Sequence, residues 1–372
     1  MILHGDCVEQ MALLPEASID ACVTDPPYEL GFMGKKWDKS GIAFNAYTWR
    51  AVYRVLKPGA HLLAFGGTRT FHRIAVAIED AGFDIRDSIA WLQGQGFPKS
   101  LNLGDGLGTA LKPAFEPVIL ARKPFKGAVA ANVQRHGTGA LNIDATRIVT
   151  DDDRSRPPRT ANAIYGAGAG TNTTASDSHP LGRWPANVCL DEHAAACLDE
   201  MSGEMGGGEF AYSGIRAMRD NPVYGAPNTT RHSPDNYGDI GGASRFFYCA
   251  KPSREERDYG LAGFRPLSGG EATNRTDGTA GLENPRAGAG RTGGGRNGHP
   301  TVKPVELMRW LVRLVTPING TVLDPFLGSG TTGMACRYEL REFIGIEREA
   351  EYIAIAERRI AAVAPLFNEQ SA

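Results

Sequence analysis

Apolar residues along this chain fall into two patterns, short continuous runs and helical stripes, and the two alternate. Ile19-Asp20-Ala21-Cys22-Val23 and residues 61–65, 85–92, 118–121, 321–323 and 343–346 have the length and composition of buried strands. Residues 1–3 make a short apolar start, followed by Gly5-Asp6. Between the runs, residues 47–56 carry Trp49, Val52, Tyr53 and Leu56 at helical spacing and end at Lys57-Pro58-Gly59, a turn signal. Residues 70–81 read as a helix. Residues 305–315 place Leu307, Trp310, Leu311, Leu314 and Val315 on one stripe, with Pro304 near the first turn. Helices are expected again over 331–339 and 351–363. Repeated strand–helix alternation predicts an α/β protein with a doubly wound, mostly parallel sheet.

The alternation stops between about residues 127 and 245. Gly, Ala, Asn, Thr and Arg dominate there, as in Ile164-Tyr165-Gly166-Ala167-Gly168-Ala169-Gly170. Apolar islands at 141–143 and 184–190, and a strand-like run at 246–250, indicate an irregular region with some order. The glycine-rich, charged tract 266–298 reads as a mobile loop. The expected division is therefore 1–126, an inserted region at 127–298, and 299–365.

Composition narrows the class. The chain has 372 residues, of which 42% are hydrophobic, as expected of a protein with a real core. No apolar run reaches the ~20 residues of a membrane span, and the amino terminus lacks a basic-then-apolar signal pattern. The 6 cysteines show no framework spacing, which points to a reducing, cytoplasmic setting. Cys189, His193 and Cys197 fall four apart on one face of a short helix, but no fourth ligand is apparent, so no metal site is expected. Net charge is −2, which does not advertise nucleic acid, yet Arg135, Arg147, Arg154, Arg156 and Arg159 cluster, as do Arg286, Arg291 and Arg296. Such stretches can follow a phosphate backbone or simply form a solvated face.

Two stretches carry candidate chemistry. Thr24-Asp25-Pro26-Pro27-Tyr28 follows the first strand-like run, and its prolines stop the strand at the end where α/β sheets bind ligands. The Asp25 carboxylate and the Pro26 carbonyl are acceptors for the two hydrogens of an exocyclic amine, and Tyr28 offers a face to a flat heterocycle. The plainer alternative is a turn capping a core. The second stretch is Asp324-Pro325-Phe326-Leu327-Gly328-Ser329-Gly330, between a strand and a helix, with an acid, Glu347, at the end of the next strand. Strand, Gly-x-Gly loop, helix, strand and acid make the layout of a nucleoside-cofactor site. Neither a dinucleotide fingerprint nor a phosphate loop is present. An acid ahead of the loop suits a cationic ligand, and S-adenosylmethionine fits.

Asp25-Pro26-Pro27-Tyr28, Thr301-Val302-Lys303-Pro304 and Asp324 to Thr332, in that order, resemble the β class of site-specific DNA amino-methyltransferases. The resemblance covers residues 1–125 and 299–363. It implies a Rossmann-like S-adenosylmethionine-dependent methyltransferase fold with circularly permuted motifs and a target-recognition insert. It further implies that Asp25, Pro26, Pro27 and Tyr28 hold and stack a flipped base. Asp324, Phe326, Gly328, Ser329, Gly330 and Thr331 would line the cofactor pocket, and Glu347 would take the ribose. Asp6 resembles the acid near the adenine, and Thr301 and Lys303 the pair near the methionine carboxylate.

The activity so implied is methyl transfer to adenine N6 in double-stranded DNA by base flipping, within restriction–modification or alone. Asp at the first motif position leans towards adenine in this class, with cytosine N4 as the alternative. An RNA methyltransferase, or a DNA-binding regulator on the same scaffold, is a further alternative that the motif order and intact motifs disfavour. None of the cysteines follows a proline, which argues against attack on cytosine carbon. A homodimer is compatible with the class, and nothing in the sequence bears on an endonuclease partner.

Overall fold

The computed structural model describes residues 1–31, 36–94, 102–150, 179–204, 241–250, 255–267 and 295–363. In chain order the principal elements begin with β1 (Ile2–His4), α1 (Cys7–Ala12), β2 (Ile19–Thr24), α2 (Ala46–Val55), β3 (Leu56–Phe65), α3 (Phe71–Asp80) and β4 (Asp84–Leu92). A small hairpin, β5 (Asn102–Gly104) and β6 (Leu107–Gly108), precedes β7 (Phe115–Arg122), α4 (Val129–His136), β8 (Val188–Asp191), α5 (Glu192–Ser202) and β9 (Tyr248–Ala250). The chain continues with α6 (Val305–Val315), β10 (Thr321–Asp324), α7 (Thr331–Tyr338), β11 (Glu342–Glu347) and α8 (Ala350–Ala362).

Nine strands form one sheet in the order β1-β11-β10-β2-β3-β7-β4-β8-β9. Every pairing is parallel except the two made by β7, which runs against both β3 and β4. The chain leaves β2 towards β3 on one side and leaves β10 towards β11 on the other. β2 and β10 are neighbours, so the crevice where strand order diverges opens at their carboxyl ends. The loops that follow β2 and β10, far apart in sequence, are thereby brought together in space.

β2 is buried along its whole length, which explains its apolar run, and its charged residue, Asp20, is paired with Lys57 Nζ at 2.6 Å. Alternate residues of β2 and β3 face two separate cores. Ala21, Val23, Leu63 and Phe65 meet α6, whereas Cys22, Leu62 and Ala64 meet α2 and α3. The doubly wound expectation therefore holds. In the first core the Trp310 ring stacks on Tyr248 at 5.1 Å, and its indole N–H donates to the Thr146 carbonyl at 3.2 Å. Parts of the irregular region thus pack on the main sheet, and β8 and β9 extend it.

The structure differs from the sequence reading at several points. Lys57-Pro58-Gly59 is no turn between elements, because β3 starts at Leu56 directly after α2 and carries these residues as a bulge opposite β2. Pro58 cannot donate, but its carbonyl accepts from Asn132 Nδ2 at 2.9 Å and Thr138 Oγ1 at 2.6 Å, so the strand continues. Residues 243–246 form a short 3₁₀ turn, leaving only β9 of the longer strand expected there. Cys189 is buried in β8 while His193 and Cys197 lie on α5, so the three do not share one helix face. Among the described residues no group of three or more His, Cys, Asp or Glu could hold a metal ion, and no helix is long and apolar enough to cross a membrane. Arg154, Arg156, Arg159, Arg286, Arg291, residues 164–170 and most of the 266–298 tract lie outside the described residues.

Gly330, expected in the cofactor pocket, does not line the cavity and instead caps α7 with φ +83°. A Cβ there would sit 2.8 Å from Ala356 Cβ and 2.9 Å from Ala356 Cα, so this glycine is required for α7 to close on α8. Gly330→Ala is expected to destabilise the protein by about 1–3 kcal/mol through backbone strain and this contact. Urea unfolding, with an unchanged slope and a lowered midpoint, is the measurement that checks it.

Candidate active site

The crevice between β2 and β10 holds a cavity of about 280 Å³. Asp6, Asp25, Pro26, Pro27, Tyr28, Thr301, Lys303, Asp324, Phe326, Gly328, Ser329, Thr331 and Glu347 all line it, so of the residues singled out from sequence only Gly330 stands apart. Acids outnumber bases around it: Glu116, Asp38 and Glu349 join Asp6, Asp25, Asp324 and Glu347, against Lys303 and Arg348.

The turn after β2 is held from several sides. The Asp38 carboxylate accepts from the backbone N–H of Glu29 at 2.9 Å and of Leu30 at 3.2 Å. Glu29 itself has φ +56°, a left-handed conformation that those bonds stabilise. Thr70 Oγ1 donates to the Tyr28 carbonyl at 2.9 Å. Asp25, Pro26, Pro27 and Tyr28 are thus presented on a fixed frame rather than a loose loop.

Lys303 sits at the centre of the site's charges. Its ammonium donates to Asp25 Oδ2 at 2.8 Å and to the Tyr28 hydroxyl at 3.1 Å, and pairs with Glu116 Oε2 at 3.1 Å. Tyr28 in turn donates to Glu116 Oε2 at 2.7 Å, and Gln93 Nε2 donates to Glu116 Oε1 at 2.7 Å. Asp25 Oδ1 is buried and has no hydrogen-bond partner among the described residues. Burial disfavours the Lys303 ammonium, but Asp25 and Glu116 outweigh it and raise its pKa, so it stays charged. Burial pushes the Asp25 carboxyl above its ordinary range, Lys303 opposes the rise and Glu116 adds to it. Burial would also raise Glu116, but Lys303 and the donors Tyr28 and Gln93 prevail and hold it below the ordinary range. The sequence reading set Lys303 against a carboxylate of the ligand; in the structure its ammonium already meets two carboxylates of the chain.

The loop after β10 is built around Asp324. Its Oδ1 accepts from Thr24 Oγ1 at 2.7 Å and Phe326 N at 3.1 Å, and its Oδ2 from Thr332 Oγ1 at 2.6 Å. Burial lifts its pKa to about 6 against the pull of these donors. Glu347 at the end of β11 accepts from Gly328 N on Oε2 and from Arg348 N and Glu349 N on Oε1, each at 2.8 Å. Gly328, at φ +53°, lies against His299, whose ring a Cβ would approach to 2.7 Å. His299 stacks with Trp37 and meets the edge of Tyr352, and burial pushes its pKa down to about 3, so it is a neutral wall of the cavity. Asp6 caps α1 through Val8 N at 2.8 Å. Ser329 and Thr331 accept from Arg359 Nη1, which is fully buried behind the loop.

The family model described as DNA methylase, of the N6/N4 type, matches residues 19–358. This chain belongs to that DNA methylase family. Among curated relatives, the type II methyltransferase M.HinfI of Haemophilus influenzae is 41% identical over 75 residues, 20% of this chain and 21% of that one. The type II methyltransferase M2.LlaDCHI of Lactococcus lactis subsp. cremoris is 45% identical over 62 residues, 17% of this chain and 23% of that one. The chain thus spans less than a quarter of the length of these relatives. Among solved structures, the PvuII DNA methyltransferase, described as cytosine-N4-specific, aligns at 14% identity with a TM-score of 0.49, covering 100% of this chain and 87% of that one.

Sequence reasoning missed Glu116, Gln93, Asp38, Trp37, His299 and Arg359 in this methylase. Glu116 reaches the site only because β7 is reversed, which puts its first residues beside the carboxyl ends of β3 and β4. No local signal marks it. Replacing Lys303 by Met would leave the half-buried carboxylates of Asp25 and Glu116 without a counter-charge, at a cost of about 1–3 kcal/mol near neutral pH. The loss should shrink as pH falls and the two carboxyls take up protons, because the variant then carries less uncompensated charge. Urea unfolding of both proteins at acidic and neutral pH measures this.

Proposed function

We propose that this methylase transfers a methyl group from S-adenosylmethionine to the exocyclic N6 of adenine in double-stranded DNA, with the base flipped out of the helix. The observation that carries the reading is Asp25: one oxygen is fixed by Lys303, while Oδ1 is a buried acceptor with no partner in a residue that lines the cavity. A buried acceptor left empty is costly, and an amine N–H would satisfy it.

The acid-rich cavity suits a ligand that carries a sulfonium and an ammonium group. Glu347 is oriented by three backbone N–H groups, and its oxygens keep lone pairs for ribose hydroxyls. Phe326, Gly328, Ser329 and Thr331, with Asp6 and Thr301, would complete the cofactor's surroundings. Asp324 acts at one remove, shaping the loop and adding negative charge. The cofactor supplies an electrophilic methyl group.

The chain's own residues position the acceptor. Asp25 Oδ1 and the Pro26 carbonyl take the two amine hydrogens, which directs the nitrogen lone pair outwards. Tyr28 presents a ring whose hydroxyl is tethered to Glu116. As nitrogen gains its new bond to carbon, one N–H proton becomes surplus, and Asp25 is the base placed to receive it. Flipping costs a few kcal/mol and exposes the amine, and most of the acceleration comes from orientation. Target choice is assigned to the 127–298 insert, whose strands β8 and β9 flank the sheet edge beyond β4.

Incubation with labelled S-adenosylmethionine and unmethylated genomic DNA, followed by nucleoside analysis, should yield N6-methyladenine. N4-methylcytosine would correct the base and keep the chemistry, and absence of label from DNA would overturn the reading. Asp25→Ala should lower the transfer rate by roughly 10²–10⁴-fold while changing cofactor affinity little, as calorimetry would report.

A further inference from the structure

We propose that Glu116 is a positioning residue for the transfer, holding the Lys303 ammonium and the Tyr28 hydroxyl so that Asp25 keeps one oxygen for the amine. The inference rests on the methyl-transfer reading and adds to it a residue that lies in none of the three motifs.

The argument is one of competing donors. Two proton-bearing groups crowd Asp25: the Lys303 ammonium, 2.8 Å from Oδ2, and the Tyr28 hydroxyl, itself 3.1 Å from Lys303 Nζ. Either could fill the second oxygen of Asp25, and an acceptor so filled is closed to a substrate amine. Glu116 competes with Asp25 for both, so that neither is spent on Oδ1. Its Oε2 lies 2.7 Å from the Tyr28 hydroxyl and 3.1 Å from Lys303 Nζ. All three ammonium protons of Lys303 then have partners, on Asp25, Tyr28 and Glu116, and none is left for Asp25 Oδ1. That oxygen is the one found buried and unpartnered.

Glu116 is itself fixed. Gln93, just past the end of β4, donates to its other oxygen at 2.7 Å, and the β4–β7 pairing sets Trp91 opposite Glu116. The carboxylate is therefore built into two strands of the sheet, whereas Asp25 and Tyr28 lie on a turn. The strand-borne carboxylate thus sets the side-chain hydrogen bonds of groups whose backbone the turn already holds in place. The charge of Glu116 also bears on Asp25. The titratable groups that act on the Asp25 carboxyl are Lys303 from the segment ahead of α6, Glu116 from β7, Asp324 from the end of β10 and the Tyr28 hydroxyl on the same turn, which lowers its pKa through a hydrogen bond. Lys303 lowers its pKa and Glu116 raises it. Asp25 is in this way kept a better proton acceptor than its pairing with Lys303 alone would leave it.

The test compares the full-length wild type with Glu116→Gln and Glu116→Asp, each checked by thermal unfolding. With labelled S-adenosylmethionine and unmethylated genomic DNA, Glu116→Gln should lower kcat about tenfold to a hundredfold, with KM for the cofactor little changed. Glu116→Asp, which keeps the charge but is too short to hold both donors, should fall between. The acid limb of the pH–rate profile should move to lower pH in Glu116→Gln and stay in place in Glu116→Asp. A carboxyl-carbon NMR titration of Asp25 in the free protein should show the same displacement without any substrate. A wild-type kcat in Glu116→Gln, or an Asp25 titration that does not move, would overturn the inference. Should Glu116→Gln fail to fold, undiminished turnover by Glu116→Asp overturns it as well. A wild type that labels no DNA sinks the methyl-transfer reading, and the Asp25 titration then still decides whether Glu116 governs that carboxyl.

Discussion

The carboxylate of Asp324 lies inside the seam where the first part of the chain meets the last. It takes hydrogen bonds from Thr24 on β2, from Thr332 on α7 and from the backbone of Phe326 in the loop between. Each such bond to a charged group is worth about 1.5–3 kcal/mol, and each would leave a buried donor stranded if it were lost. Through this one side chain the strand that carries Asp25 is fastened to the strand that carries the glycine loop. The two halves of the cavity then share a single frame, although some 300 residues separate them in sequence. β2 and β10 pair at only a short register, Val322 with Ala21 and Leu323 with Cys22, so the side-chain link matters at the carboxyl end of the seam.

On that frame the cavity sorts its charges by depth. Asp324 is wholly buried and satisfied within the protein, and Glu347 is oriented by backbone N–H groups. Asp25, Lys303 and Glu116 form a chain of alternating charge with one acceptor left over. The excess of acid sits where a cationic ligand would be drawn in, and the neutral aromatic wall of His299, Trp37 and Tyr352 borders it. Such an arrangement is unfavourable for folding, since buried like charges repel, and it persists where the surrounding structure is strong. Two large cores, one on each face of the sheet, supply that strength.

The insert is less separate than its composition suggests. Asn142 donates to the carbonyls of Arg313 and Thr316 at the end of α6, and Tyr248 packs on Trp310. Near the loop after β10, Glu256 accepts from Val305 N at the start of α6, while Arg359 spans from the Glu256 carbonyl to Ser329. Described parts of the 127–298 region thus touch the walls of the cavity from behind.

By itself the sequence determined the elements, their alternation and both motif loops. These are local properties: a run of apolar residues needs two buried faces, prolines stop a strand, and glycines permit a tight loop wherever they stand. Asp25, Tyr28, Asp324 and Glu347 were legible because each sits at the end of a strand that the pattern alone locates. Tertiary structure decided the rest. Only the strand order makes β2 and β10 neighbours, and only the reversal of β7 carries Glu116 to the cavity, where it changes what Lys303 does. Gly330, expected from its loop to lie by a ligand, is also the point where two helices close, a fact that depends on Ala356 in α8. Contacts between residues distant in sequence leave no periodic mark, because a side chain meets its partner through the path of the backbone and not through spacing along it.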